Sequence, residues 1–180
     1  MFNKIMPTHL DEEKLKQRYI HISVADQCLQ LIDHKKVLFE VAIATAKNGV
    51  GEQFGSECTP RGWHKIRAKI GSDCLENTVF IGRRPTGEYY SEALQQEQPN
   101  RDWILTRIMW LSGLQTGFNR WGKCDTMARY IYIHGCPDSH PMSIPSSHGC
   151  IKMRNSEVIT LFKQIDVGIS VLINEAKISE

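Results

Sequence analysis

The chain has 180 residues, of which 41% are hydrophobic and 23% are charged. These proportions are typical of a folded globular protein, and they exclude a disordered or fibrous chain. The length indicates a single domain. The formal net charge of +2 is too small to indicate a nucleic-acid-binding surface, so we expect no nucleic-acid partner.

Hydropathy along the chain predicts the cellular compartment of the protein. No apolar run reaches the roughly 18 residues of a membrane-spanning helix, so we expect no membrane span. The first ten residues hold no apolar stretch of the length of a secretory signal, and charged residues follow at 11–14. We therefore expect a cytoplasmic protein whose six cysteines are free thiols in a reducing compartment.

The predicted elements are mostly strands. We predict a lead segment over residues 1–18, with a short surface helix at 9–18. The main domain is predicted over 19–175. From Tyr19 the apolar residues alternate, which predicts two or three antiparallel strands. The expected strands cover 19–24, 28–32, 37–44, 63–70, 103–111, 130–133 and 169–173.

One late helix interrupts this pattern. Val158, Leu161, Phe162 and Ile165 follow helical spacing, with Asn155 as the expected N-cap. The polar run over 83–102 has several Pro and Gly breakers, and we interpret it as a lid within an insertion at about 71–129. The sequence therefore predicts a mainly β fold with one marked helix and a long insertion.

The tripeptide His-Gly-Cys occurs twice, at 134–136 and at 148–150. A thiol is mostly protonated at neutral pH, so a cysteine nucleophile needs a neighbouring base. His134 ends a β-type run, which would fix a base on a rigid element. Cys150 follows Ser147, His148 and Gly149 on a tight loop, where successive N–H groups can form an oxyanion hole. A buried, inert cysteine is the alternative, and the clustering argues against it.

A zinc-binding module is the alternative of another class. His134, Cys136, His148 and Cys150 offer two nitrogen and two sulfur ligands. Their spacings are not those of common structural zinc sites, so we expect no metal and no cofactor.

The string over 147–153, Ser-His-Gly-Cys-Ile-Lys-Met, resembles the signature of the L,D-transpeptidase catalytic domain, also called the YkuD-type domain. An upstream strand ending in Ile133-His134-Gly135, the turn over 59–62 and the late helix follow in the order of that family. The resemblance covers most of the chain. It implies a YkuD-like β-sandwich or barrel.

The resemblance also implies roles for residues. Cys150 would be the nucleophile, and His134 would be its base, oriented by the Gly135 carbonyl. The amides of residues 148–150, including His148 and Gly149, would donate to the oxyanion. Ser147 would shape the substrate-binding loop, and Lys152 stands where members usually carry Arg to hold a substrate carboxylate.

The implied substrate is a peptidoglycan stem peptide, cleaved between the L-centre of a diamino acid and a terminal D-amino acid. The expected cytoplasmic location favours an L,D-carboxypeptidase that removes D-alanine from soluble murein tetrapeptides during recycling. The alternative is an L,D-transpeptidase that forms cross-links or exchanges D-amino acids outside the membrane. The oligomeric state stays open.

Overall fold

A computed structural model describes residues 9–178, with side chains from residue 12 onwards. The predicted lead segment therefore lies partly outside the described residues. Its helix, α1, spans His9–Lys16 and confirms the helix expected there.

The described chain is mainly β, as the sequence predicts, and its strands belong to one sheet. The strands are β1 Tyr19–Ser23, β2 Cys28–Asp33, β3 Lys36–Ala42, β4 Gly62–Ile70, β5 Thr78–Ile81, β6 Arg84–Tyr89, β7 Leu105–Gly113, β8 Tyr132–Cys136, β9 Ile151–Arg154 and β10 Ser170–Asn174. Their order across the sheet is β3-β2-β1-β10-β4-β7, after which β7 pairs with both β5 and β8.

The sheet curls until its two ends approach each other. Strand β9 pairs in parallel with β8, and Lys152 of β9 forms an antiparallel bridge to Ala44, just after β3. Ala46 then bridges to Ser147. The loop that precedes β9 is thus held between two distant parts of the chain.

Two further helices complete the fold. Helix α2 spans Glu92–Glu97, and α3 spans Asn155–Gln164 against β7, β8 and β9. All four residues of the predicted apolar face of α3 are buried. Arg154, one residue before the predicted Asn155, is the N-cap. The main core lies between α3 and the inside of the curled sheet.

The region 71–129 is only partly an insertion. Strand β7 lies in its middle and is a central strand, flanked by β4 and by β8. The run over 83–102, expected to be without regular structure, contains β6 and α2. Strands β5 and β6 form a hairpin that covers one end of β7. A strand with one buried face is predicted from alternating apolar and polar residues. Strand β6 shows no such alternation because none of its side chains is buried.

No helix in residues 9–178 combines the length and the apolar character needed to cross a membrane.

Candidate active site

Strand β8 carries His134 on the face of the sheet that points away from α3. Its neighbours Ile133 and Ile151 belong to the main core, and Tyr132 packs on the opposite face with Ile108. Because side chains alternate along a strand, His134 lies on the same face as Tyr132. His134 is paired in register with Lys152 of β9, which places Lys152 on that face as well.

The His134 ring is buried and held in one orientation. Its Nδ1 lies 2.8 Å from the Gly135 carbonyl oxygen, which can only accept a hydrogen bond. Nδ1 therefore carries the proton in the neutral ring, and Nε2 is left with a free lone pair. Within the described residues Nε2 has no hydrogen-bond partner. The Gly135 carbonyl thus orients His134 as the resemblance implies, with an acceptor nitrogen that can take a proton.

Packing also requires a glycine at position 135. A Cβ at this position would lie 2.5 Å from Asn155 Oδ1 and 2.7 Å from the Leu105 carbonyl oxygen. Both distances are too short for a carbon atom, so a side chain here would displace the backbone that orients His134. Asn155 is itself fixed, because Thr106 Oγ1 donates to its Oδ1 over 2.5 Å.

Ser147 locks the loop that precedes β9. Its hydroxyl donates to the Cys150 carbonyl oxygen over 2.6 Å and accepts from the Gly149 N–H over 3.1 Å. Ser147 is 2% exposed, so its hydroxyl fixes the loop and does not face a ligand. The Gly149 N–H already has this acceptor, which leaves the N–H groups of His148 and Cys150 as the oxyanion donors to consider.

The turn at Thr59 is hydrogen-bonded to the same loop. The Thr59 hydroxyl donates to the Gly149 carbonyl over 3.0 Å and accepts from the Ala46 N–H over 3.0 Å. Gly149 has φ +130°, and a Cβ there would lie 2.8 Å from Ile131 Cδ1. The Gly before Cys150 is therefore required by both conformation and space.

Cys150 is half-buried at the edge of the cluster formed by Phe80, Ile108 and Tyr132. Its Sγ accepts a hydrogen bond from the Tyr132 N–H over 3.4 Å and lies 3.6 Å from the Tyr130 carbonyl oxygen. The four-residue strand β9 begins directly after Cys150 and separates it from α3. That strand fixes the thiol beside β8.

The environment of the pair keeps both groups neutral. Burial raises the pKa of the Cys150 thiol to about 12, an effect that the Tyr132 N–H partly offsets. Burial lowers the pKa of His134, and the negative charge of Asp102 opposes this shift. Burial therefore favours the neutral form of both groups.

Lys152 lines a cavity of about 390 Å³ next to His134. Its Nζ lies 3.6 Å from Asp102 Oδ1, and its side chain is 11% exposed. His148, which is exposed, and His140 line the same cavity. Burial lowers the pKa of His140. The cavity thus offers two cations, Lys152 and Arg101, and one carboxylate, Asp102, to a polar ligand, although Arg101 is already paired with Glu88.

The four residues of the zinc alternative are not grouped together in the described part of the chain. No three His, Cys, Asp or Glu side chains in this part of the chain are grouped so as to hold a metal ion. Cys136 is buried and its Sγ contacts the Met153 carbonyl over 3.3 Å, while Cys150 lies beside Tyr132. All six cysteines are free thiols.

Residues 17–173 match the family of YkuD-type L,D-transpeptidase catalytic domains. Since the match covers most of the chain, the protein belongs to this family. No curated protein matches the sequence.

Solved structures show the same fold. An L,D-transpeptidase C442S mutant from Enterococcus faecium is 19% identical with a TM-score of 0.52, over 89% of this chain and 50% of that one. L,D-transpeptidase 3 from Mycobacterium tuberculosis, in complex with a faropenem-derived adduct, is 14% identical with a TM-score of 0.53, over 88% and 60%. An L,D-transpeptidase from Mycobacterium smegmatis is 14% identical with a TM-score of 0.51, over 88% and 58%. The chain thus spans about half to three fifths of the length of these relatives.

Sequence reasoning missed two parts of the site. The sequence places Asp102 only at the end of the predicted lid over 83–102. Nothing in the neighbouring residues indicates that it is the partner of Lys152. Tyr132 contributes a backbone N–H to Cys150, a contact that any residue type could make. The parallel pairing of β8 and β9 creates both neighbourhoods, and a sequence pattern does not reveal that pairing.

Proposed function

We propose that the protein is a cysteine acyl-enzyme peptidase that acts on peptidoglycan stem peptides, and that it works as an L,D-carboxypeptidase on murein tetrapeptides. The observation that carries the proposal is the buried Nε2 lone pair of His134, which has no hydrogen-bond partner in the described chain and lies on the same face of β8 as Tyr132, against whose cluster Cys150 packs. Membership of the YkuD-type family supports the peptidoglycan substrate class.

The first half of the reaction forms a thioester. Sγ of Cys150 attacks the carbonyl carbon of the scissile amide, and its proton passes to Nε2 of His134. The oxyanion accepts hydrogen bonds from the N–H groups at His148 and Cys150. The C–N bond then breaks, and the imidazolium of His134 gives its proton to the leaving amine, which is the terminal D-amino acid.

The second half releases the acyl group. His134 takes a proton from a water molecule that attacks the thioester carbon. The C–S bond breaks, and the thiolate of Cys150 regains the proton from the imidazolium. Neutral resting forms of both groups suit this sequence, because each half begins with a free lone pair on Nε2.

Lys152 and Asp102 support recognition of a zwitterionic leaving group. Lys152 would hold the carboxylate of the terminal D-amino acid, and Asp102 would stabilise the imidazolium that forms on His134. The cavity of about 390 Å³ that Lys152 and Asp102 line has room for such an amino acid.

The six free thiols support a reducing compartment, so we also propose that the substrate is a soluble muropeptide in the cytoplasm. The alternative function is an L,D-transpeptidase, the activity for which the family is named and which membership of the family supports directly. In that case an amine of a second stem peptide would replace water.

The masses of the products test the proposal. The protein is incubated with free tetrapeptide at millimolar concentration, with and without an added D-amino acid. Tripeptide and D-alanine are expected as the main products. A cross-linked dimer, or efficient exchange of the terminal residue, would establish the transpeptidase instead. No reaction with any stem peptide would contradict both.

A further inference from the structure

Two arginine side chains lie against Trp110, which belongs to the same cluster as Tyr132 and Cys150, and have no part in the mechanism above. We propose that Arg83 and Arg67 form an anion subsite that binds a carboxylate on the acyl-donor half of the peptide. This inference rests on the proposed function, because it assigns a place to the peptide that Cys150 attacks.

Arg83 stands at the tip of the hairpin formed by β5 and β6. Gly82 and Arg83 have φ values of 54° and 66°, as in the tight turns that join two antiparallel strands. The turn brings the Arg83 guanidinium to 4.3 Å from the centre of the Trp110 ring and 5.0 Å from that of Tyr130. Its Nη1 also donates to the Tyr132 hydroxyl over 2.9 Å.

Arg67 approaches the same aromatic side chain from β4. Its guanidinium lies 5.4 Å from the centre of the Trp110 ring. The pairing of Ala68 with Trp110, and of Trp110 with Tyr132, places these groups on adjacent strands. A groove of about 460 Å³ runs along Arg67 and Trp110.

Neither guanidinium has a carboxylate within salt-bridge distance in the described part of the chain, whereas two other arginines do. Arg61 pairs with Glu52 at 2.9 Å, and Arg101 pairs with Glu88 at 2.6 Å. Two cations held near one ring repel each other unless an anion joins them. Guanidinium groups fixed by aromatic contacts are well suited to bind a carboxylate, since little side-chain freedom is lost on binding.

The direction of β8 assigns this subsite to the acyl-donor half. His134 must reach the leaving amine, so the leaving group lies toward His134 and Lys152. Tyr132 precedes His134 by two residues, which is roughly 6–7 Å along a strand, and its N–H marks the position of Cys150. The order along β8 therefore assigns Arg83, which donates to the Tyr132 hydroxyl, to the side of the nucleophile away from the leaving group.

The ligand is thus a peptide with a free carboxylate on the acyl side of the scissile bond. An uncharged carboxamide at the same place would lose the attraction but keep the shape. This difference separates recognition of charge from a general packing role of the arginines.

Equilibrium binding to the Cys150→Ala variant tests the inference without turnover. Calorimetry compares the free tetrapeptide with its analogue amidated at that carboxylate. Arg83→Gln, added to Cys150→Ala, is expected to weaken binding of the acidic peptide by about tenfold and to leave the amidated peptide unchanged. Arg67→Gln, an exposed position, should act in the same direction. Arg84→Gln, on the neighbouring exposed residue, is the matched control and should change neither affinity.

Equal weakening of both peptides by Arg83→Gln, or no weakening by either arginine variant, would overturn the anion subsite while leaving the proposed function intact. Failure of the Cys150→Ala protein to bind either peptide would overturn the proposed function and the subsite with it.

Discussion

The backbone N–H of Tyr132 donates a hydrogen bond to Sγ of Cys150 over 3.4 Å. Tyr132 lies on β8, two residues before His134, and Cys150 lies directly before β9, the parallel partner of β8. One strand pairing therefore fixes the base and holds the nucleophile. The hydrogen bond favours the thiolate, but burial has the larger effect and raises the pKa of the thiol to about 12.

The first prediction concerns the resting thiol. Because burial raises the pKa of Cys150, its alkylation by iodoacetamide should accelerate steadily with pH and show no plateau below pH 9. The rate is followed by intact-protein mass spectrometry. A half-maximal rate at or below pH 7 would show a thiolate formed before substrate binds.

The second prediction concerns the base. His134→Ala should lower turnover by about a hundredfold or more, in line with general-base contributions. His148→Ala is the matched control at an exposed position and should cost much less. A larger loss in His148→Ala than in His134→Ala would exchange their roles.

The pH profile of His134 gives an independent check. Burial lowers its pKa below the ordinary 6.5, so the neutral, proton-accepting form persists to lower pH. The acid limb of kcat/KM should therefore fall below pH 6.5. An acid limb above pH 7 would contradict the assignment.

The third prediction concerns the loop. Ser147→Ala removes the hydroxyl that joins the Gly149 N–H to the Cys150 carbonyl, and leaves both groups without this partner. Turnover should fall by about tenfold, and unfolding should become easier by about 1–3 kcal/mol. Ser146→Ala is the control, since the Ser146 hydroxyl contacts His140 instead. Equal effects of the two variants on turnover would contradict a special role for Ser147.

The fourth prediction concerns stability. His64 is fully buried between the Gly62 carbonyl and the Thr126 hydroxyl, and burial lowers its pKa from 6.5 to about 4. The unfolded chain therefore binds a proton below pH 6.5 that the folded chain does not bind until about pH 4. The free energy of unfolding should fall by about 2 kcal/mol between pH 7.5 and 5 through this residue.

Urea unfolding at the two pH values measures that difference. His64→Gln should be less stable at pH 7.5 but should lose less on acidification, and His34→Gln, on the surface, is the control. An unchanged pH dependence in His64→Gln would show that another group is responsible.

Much of the fold could be predicted from the sequence. Ile20 and Ile22 of β1, and the apolar face of α3, have regular spacings because these side chains pack into the main core. The pair Cys150 and His134 could be proposed as nucleophile and base because the two His-Gly-Cys tripeptides cluster. These features depend on neighbours in sequence, which a pattern can show.

Other features depend on contacts between distant segments. The exposed hairpin strand β6 has no apolar period, and β9 is only four residues long. The burial that raises the pKa of Cys150 comes from Phe80, Ile108 and Tyr132, which three different strands supply. The sequence does not show that these three residues come together around Cys150, and the pKa of the thiol depends on that contact.

The most direct test is to trap the acyl-enzyme. The protein is mixed with tetrapeptide, quenched in acid within the first turnover and digested, and the cysteine-containing peptides are weighed. Cys150 should carry the mass of the tetrapeptide less D-alanine. Cys136→Ala should show the same adduct, because Cys136 is buried against the Met153 carbonyl. An adduct on Cys136, or product formation by Cys150→Ala, would contradict Cys150 as the nucleophile.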